Sequence, residues 1–292
     1  MAERTVIASD DRDALAEPRW LRWLLTALAV ALLALLLLMP LAMLLGAAFE
    51  KGLAVWANAL VEPDAFAALK LTLLTAAVVV PVNAVFGLLM AWAVTRFDFR
   101  GKRVLLSLVD LPFAVSPVVA GLCLVLLFSP THGWFADWLN QVGLKILFAP
   151  PGIVLATLFI TFPLVVRELI PLMEQQGADE ELAARSLGAG AWTMFRRVTL
   201  PNIKWGLLYG VLLCTARAMG EFGAVSVVSG HIQGKTNTLP LHIEVLYKQF
   251  DGATAAFAVA SLLAGMALVT LLVKFWLESR HGDALARTHR RH

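Results

Sequence analysis

Long apolar runs alternate with short polar stretches along this 292-residue chain. The first run covers residues 20–46. Five more lie at about 67–94, 104–128, 152–173, 205–228 and 253–277, each compatible with the ~20 residues that a bilayer core requires of one helix. The pattern predicts an all-α, polytopic membrane protein with about six transmembrane helices. The first run is much longer than the apolar region of a signal peptide and lacks a small-residue cleavage site, so it is expected to be a retained membrane helix. Pro81, Pro112, Pro117 and Pro163 fall inside the runs. Such breaks are tolerated where neighbouring helices or water re-satisfy the freed carbonyls, which places them against protein or a pathway. Residues 51–66, with Pro63 and Asp64, read as a connecting loop with an interfacial turn around Trp56.

Composition strengthens this picture. The chain is 59% hydrophobic and only 15% charged, outside the range of soluble domains, and its mean hydropathy is +0.76. A net charge of +3 does not mark a nucleic-acid binder, because the basic residues sit in short blocks beside apolar spans. Arg4, Arg12, Arg19 and Arg22 precede or open the first run. Arg96, Arg100, Lys102 and Arg103 follow the second, Arg185, Arg196, Arg197 and Lys204 follow the fourth, and Arg280, Arg287, Arg290 and Arg291 follow the sixth. The alternate loops hold only Lys51, Lys145, Lys235 and Lys248. The positive-inside rule then puts both termini and the 174–204 segment in the cytoplasm. The expected organisation is a cytoplasmic arm (1–20), a first helix with an external loop (21–66), a core membrane domain (67–277) that contains the cytoplasmic 174–204 segment, and a basic cytoplasmic tail (278–292).

The polar segment 174–204 interrupts the apolar pattern most sharply. Glu180 to Leu187 is rich in helix formers, Gly188 and Gly190 supply a turn, and Trp192 to Val198 resumes a helical pattern. Pro201 suits the first turn of the next span. The prediction is a short helix, a sharp turn and a second short helix. Ala183, Ala184, Leu187 and Gly188, followed by Leu200-Pro201, resemble the EAA loop of ABC importer permeases, in which a short coupling helix docks on a cytoplasmic ATPase. That motif carries an acidic residue directly before the alanine pair. Here Leu182 holds that place, with Glu180 and Glu181 just upstream, so either acid is open as the coupling carboxylate.

The fifth span carries the other distinctive stretch, Thr215-Ala-Arg-Ala-Met-Gly-Glu-Phe-Gly-Ala224. Arg217 and Glu221, four apart, share a helix face and can neutralise one another, and charges at membrane depth are functional candidates by default. A buried pair that merely fixes helix packing is the competing explanation. Gly210, Gly220 and Gly223 are expected to let another backbone approach closely. The adjacent pair Arg167-Glu168 cannot face itself on a helix, so each partner is expected to pair elsewhere or reach the interface, in a structural role. Cys123 and Cys214 lie in apolar runs and suit packing better than a disulfide. The histidines show no ligand spacing, so no metal site is expected. Gly230 to Thr236 is one residue short, between its glycines, of a phosphate-cradling loop and reads as an external loop.

The run Arg217 to Gly223, with Asp110 to Gly121, Thr95-Arg-Phe97 and Phe195 to Ile203, resembles the sulfate and molybdate branch of ABC importer permeases, most closely its W-type subunits. The resemblance spans nearly the whole chain beyond the first twenty residues. It implies a type I importer architecture in the bacterial inner membrane, a partner permease of the T type, an ABC ATPase dimer and a periplasmic sulfate- or thiosulfate-binding protein. ATP and Mg would be bound by the ATPase, with no cofactor and no catalytic residue in this chain. Molybdate or tungstate is the nearest alternative cargo. An ion-driven secondary transporter and a membrane enzyme rank below it. An oxyanion needs a wet route or fixed donors, and Ser116, Arg217, Ser226 and Ser229 are the candidates. Glu221 is expected to balance Arg217, leaving selectivity mainly to the binding protein.

Overall fold

The computed structural model describes residues 19–289. Residues 1–18, which hold nearly all of the expected cytoplasmic arm, and 290–292, with Arg290 and Arg291, lie outside the described residues. Backbone contacts divide the chain into two units, Met1–Ala47 and Ala48–His292. The first contains most of helix α1 (Arg19–Phe49), a continuous apolar helix that carries Pro40.

In the second unit, α2 (Leu53–Val61) and α3 (Pro63–Arg96) follow closely. The expected loop at 51–66 is therefore helical. Its Pro63 opens α3, where a missing N–H costs nothing. The Trp56 indole N–H donates to Ser261 Oγ at 2.9 Å. The predicted span 104–128 is two helices, α4 (Lys102–Ala114) and α5 (Pro117–Phe128), bent by 108°. Pro117 begins the second piece, as its ring fits a helix start but not an interior. After the short α6 (Ala136–Val142) comes α7 (Pro150–Gln176), a full-length apolar helix.

The polar segment begins with α8 (Asp179–Ser186) and α9 (Ala191–Met194), then a π turn at Phe195–Thr199 that runs directly into α10 (Leu200–Met219). The second short helix is thus the foot of a span, a correction to the separate helix expected from sequence. Pro201 cannot donate back to the preceding turn, and the ladder widens just before it, with the Leu200 N–H reaching the Phe195 carbonyl. Then come α11 (Gly223–Ser229), bent 51° from α10, α12 (Leu239–Lys248) and α13 (Ala253–His289). Among the described residues, four helices are long and apolar enough to cross a membrane, and six spans result if each bent pair counts as one.

Helices α3, α7 and α10 pack as a central trio. Close contact depends on missing side chains: a Cβ on Gly87 would lie 2.7 Å from Val165 Cβ, and one on Gly210 would lie 3.2 Å from the Val165 Cα. Ala91, Val165, Leu169, Met173, Ile203 and Cys214 fill the space between them. Asn83 Nδ2 donates to Thr161 Oγ1 at 2.7 Å and to Cys214 Sγ at 3.4 Å, so one polar knot joins all three helices. A second cluster holds α5 and α11 against α7 through Ala120, Ile153, Ala224 and Val228. Arg96 and the polar segment mark what we term the basic end of this unit.

Candidate functional site: a clamped loop and two helix breaks

The loop around Gly188 closes by a specific backbone pattern. Gly188 adopts φ +84°, a conformation that side-chain-bearing residues rarely take. Its N–H bonds to the Arg185 carbonyl, and the Ala189 N–H bonds to the Ala184 carbonyl, both at 3.0 Å. These two bonds form the Schellman closure that satisfies the last carbonyls of a helix. The Ala–Ala–Gly spacing in the sequence thus corresponds to a fixed turn.

Glu181 is turned inward. Arg96 Nε donates to Glu181 Oε2 at 2.7 Å and its Nη2 to Oε1 at 3.3 Å, while Nη1 reaches the Met173 carbonyl at 3.3 Å. Thr199 Oγ1 adds a bond to Glu181 Oε1 at 2.7 Å. One carboxylate therefore joins α8 to the end of α3 and to the π turn, and Arg96 extends the joint to the end of α7. Phe195 reinforces the joint, stacking on Trp192 and lying 5.4 Å from the Trp92 ring of α3. Glu180 stays at the surface and accepts from Asn202 Nδ2 at 2.6 Å. Ala183 and Gly188 are exposed, Ala184 is half-buried, and Leu187 is 89% exposed. Leu182 and Trp192 are exposed nearby, so the loop presents an apolar face and keeps its anchors within.

The two helix breaks meet. A Cβ on Gly223 would lie 2.8 Å from Pro117 Cβ, so the α10–α11 break rests against the α4–α5 break. Gly223 and Gly210 fulfil the expected close approach. Gly220 does not, since the nearest atom to its notional Cβ is the Ala216 carbonyl of its own helix, at 3.6 Å. Glu221 Oε2 lies 2.5 Å from Arg217 Nη1, and Glu221 Oε1 accepts from the Ala224 N–H at 3.1 Å. The carboxylate thus supports the start of α11 and holds the arginine. The Glu221 side chain is 1% exposed and that of Arg217 41%, which leaves part of the guanidinium open.

The serines divide into two kinds. Ser116 is exposed at the start of α5 and makes no capping bond. Ser226 donates to the Gly223 carbonyl at 2.8 Å, and buried Ser229 accepts from the His231 N–H at 3.2 Å. The structure thus brings Arg217, Glu221 and Ser116 to the paired breaks, while the hydroxyls of Ser226 and Ser229 are engaged within α11 and the turn after it. Sequence reasoning missed Arg96 and Thr199 as anchors. Arg96 was visible as a basic residue at a span end and as part of the Thr95-Arg-Phe97 stretch, with nothing in its spacing to link it to Glu181.

Broken spans surround a tightly packed trio and a loop is clamped to one end, an all-helical architecture shared with ABC importer permeases. The chain belongs to the family of binding-protein-dependent transport system inner membrane components, whose pattern matches residues 83–282. It is 49% identical over 280 residues to the sulfate transport system permease protein CysW of Escherichia coli (strain K12), covering 96% of this chain and 94% of that one. It is 41% identical over 246 residues to the sulfate transport system permease protein CysT of the same organism, covering 84% and 88%. The solved structure of a bacterial alginate ABC transporter in complex with its alginate pentasaccharide-bound periplasmic protein matches with a TM-score of 0.72 over 88% of this chain and 94% of that one. At 19% identity that match shows a shared fold alone.

Proposed function

We propose that this chain is one half of the membrane pathway of an ATP-driven importer for sulfate and thiosulfate. The observation that carries the reading is the 49% identity to a sulfate permease across almost the full length of both chains. The similarity to CysT as well as CysW supports pairing with a second, T-type permease. A cytoplasmic ABC ATPase dimer, which binds ATP and Mg, and a periplasmic sulfate- or thiosulfate-binding protein complete the complex. Both termini and the 174–204 segment face the cytoplasm, a reading supported by the placement of lysine and arginine.

The exposed face of α8 and its turn, with Ala183, Ala184, Leu187 and Gly188, docks on the ATPase. Glu180 lies at the margin of that contact, and Glu181 sets the angle of the helix from behind. Closure of the ATPases pushes the loop, and the bonds of Glu181 to Arg96 and Thr199, with that of Arg96 to the Met173 carbonyl, pass the movement to the central trio. The paired breaks carrying Ser116, Arg217 and Glu221 line the route. Ser226 and Ser229 supply donors there only when α11 rearranges, because the Ser226 hydroxyl donates to the Gly223 carbonyl and Ser229 is fully buried in this conformation.

Competition for uptake tests the cargo. Cells that depend on this transporter are given labelled sulfate with excess unlabelled thiosulfate, molybdate or tungstate. Sulfate should be taken up, and thiosulfate should compete far better than molybdate; preferential uptake of molybdate or tungstate would overturn the sulfate reading.

A further inference from the structure

A second arginine–carboxylate pair lies away from the helix breaks. Arg167 Nε of α7 donates to Asp110 Oδ1 of α4 at 2.8 Å, and its guanidinium carbon sits 4.4 Å from the centre of the Phe113 ring. The side chains of Arg167 and Asp110 are 54% and 50% exposed.

Its depth follows from two independent helices. At a rise of ~1.5 Å per residue, Arg167 is roughly 14 Å from the end of α7 at Gln176. Asp110 is roughly 12 Å from the start of α4 at Lys102 by the same rise. Both lengths set the pair well inside two apolar helices, counted from the basic end. Phe113 lies almost a turn farther from the basic end of α4 than Asp110, and the guanidinium rests over it. A half-exposed ion pair at this depth is costly against lipid, so it faces water or protein. Helix α4 is also lightly enclosed, with only Val109 and Pro112 buried, and it ends at the 108° bend.

The Arg217–Glu221 pair is built alike. Asn202 is level with Gln176, whose Nε2 donates to the Asn202 carbonyl at 2.9 Å. Measured from there, Arg217 is roughly 22 Å along α10, some 8 Å deeper than Arg167 on the same scale. Each arginine is held by one carboxylate and keeps part of its guanidinium open.

We propose that Arg167 is a binding station for the transported dianion on the basic-end half of the route, with Asp110 as the resident counter-ion that the dianion displaces. The proposal rests on the oxyanion reading given above. The terminal NH2 groups of Arg167 form a planar fork suited to two oxygens of a tetrahedral anion. The fixed negative charge of Asp110 keeps the station weak, and a route conducts only when its sites release what they bind. The anion passes from Arg217 to Arg167 and then to the cytoplasm.

The test uses the assembled transporter in membrane vesicles. Initial uptake of labelled sulfate is compared for wild type, Arg167→Gln, Asp110→Asn and the double variant, at equal amounts of assembled complex. Should the wild type carry molybdate instead, the cargo reading fails separately and molybdate becomes the label. Arg167→Gln should lower the rate at least tenfold, the double variant should stay as low, and Asp110→Asn should keep half the rate or more. If Asp110→Asn falls as far as Arg167→Gln and the double variant recovers, the pair is structural and the proposal is overturned. A second measurement covers variants that fail to assemble: Phe113→Cys, in a Cys123→Ser background with Cys214 buried, is treated with anionic 2-sulfonatoethyl methanethiosulfonate. Reaction that sulfate slows is expected, whereas an inert thiol places the pair against protein and overturns the station.

Discussion

Arg96 and Glu181 join the polar loop to the end of α3. Their side chains are only 12% and 11% exposed, and the guanidinium meets both carboxylate oxygens. Removing one partner leaves the other charge buried and unpaired, which costs about 3–5 kcal/mol. Arg96→Ala should therefore lower the thermal midpoint of the purified complex and reduce uptake more than ATP hydrolysis. Replacing both residues, as in Arg96→Met with Glu181→Leu, should restore most of the midpoint, since well-packed apolar side chains often replace a buried pair at little cost. Equal midpoints for wild type and Arg96→Ala would contradict the clamp. The acids of this loop were evident from sequence as candidates for coupling, but their directions were not. Glu180 and Glu181 are neighbours, and only packing against Arg96 and Thr199 turns one of them inward. The Asp110–Arg167 pair was hidden for a related reason, since the two residues lie 57 positions apart and no helical period links them.

At the level of elements, long apolar runs and prolines disclosed the spans and their breaks. Pro117 and the Gly220–Gly223 stretch fall where α4–α5 and α10–α11 bend. Two short helices were not legible. Leu53–Val61 and Leu239–Lys248 are too short for a clear period, and each is set in place by packing on longer helices. Helix α12 lies against α3 and α13, and Leu239 and Leu246 join the cluster formed with Ala65, Ala68, Ala256 and Val259. This position encloses His242, which is 2% exposed and has no hydrogen-bond partner at either ring nitrogen. Burial pushes its pKa below the ordinary 6.5, and the carboxylates of Glu62 and Asp64 oppose that shift without cancelling it. The folded ring stays neutral where the unfolded chain would bind a proton, so stability falls as pH drops below about 6.5 and levels off beneath the lowered folded value. Thermal midpoints from pH 8 to pH 5 should show this fall, and His242→Leu should flatten it. A wild-type midpoint that holds level through that range would argue against the buried neutral ring.

For the whole molecule, the packing between α3, α7 and α10 determines how force travels. Gly87 and Gly210 let the helices meet at Val165, and the Asn83–Thr161–Cys214 knot ties them together. Helices α4, α5 and α11 are shorter and bent; on the function proposed above, they are the parts that open and close the route. The central claim is that this chain does no work unless a separate ATPase grips its clamped loop. Uptake of labelled sulfate into proteoliposomes containing both permease subunits and the binding protein, with ATP and Mg supplied on the loop side, is the most direct measurement. The account predicts accumulation only when the ATPase is present and its loss on Leu187→Asp, which charges the exposed apolar face. Accumulation without the ATPase, driven by an ion gradient alone, would contradict it.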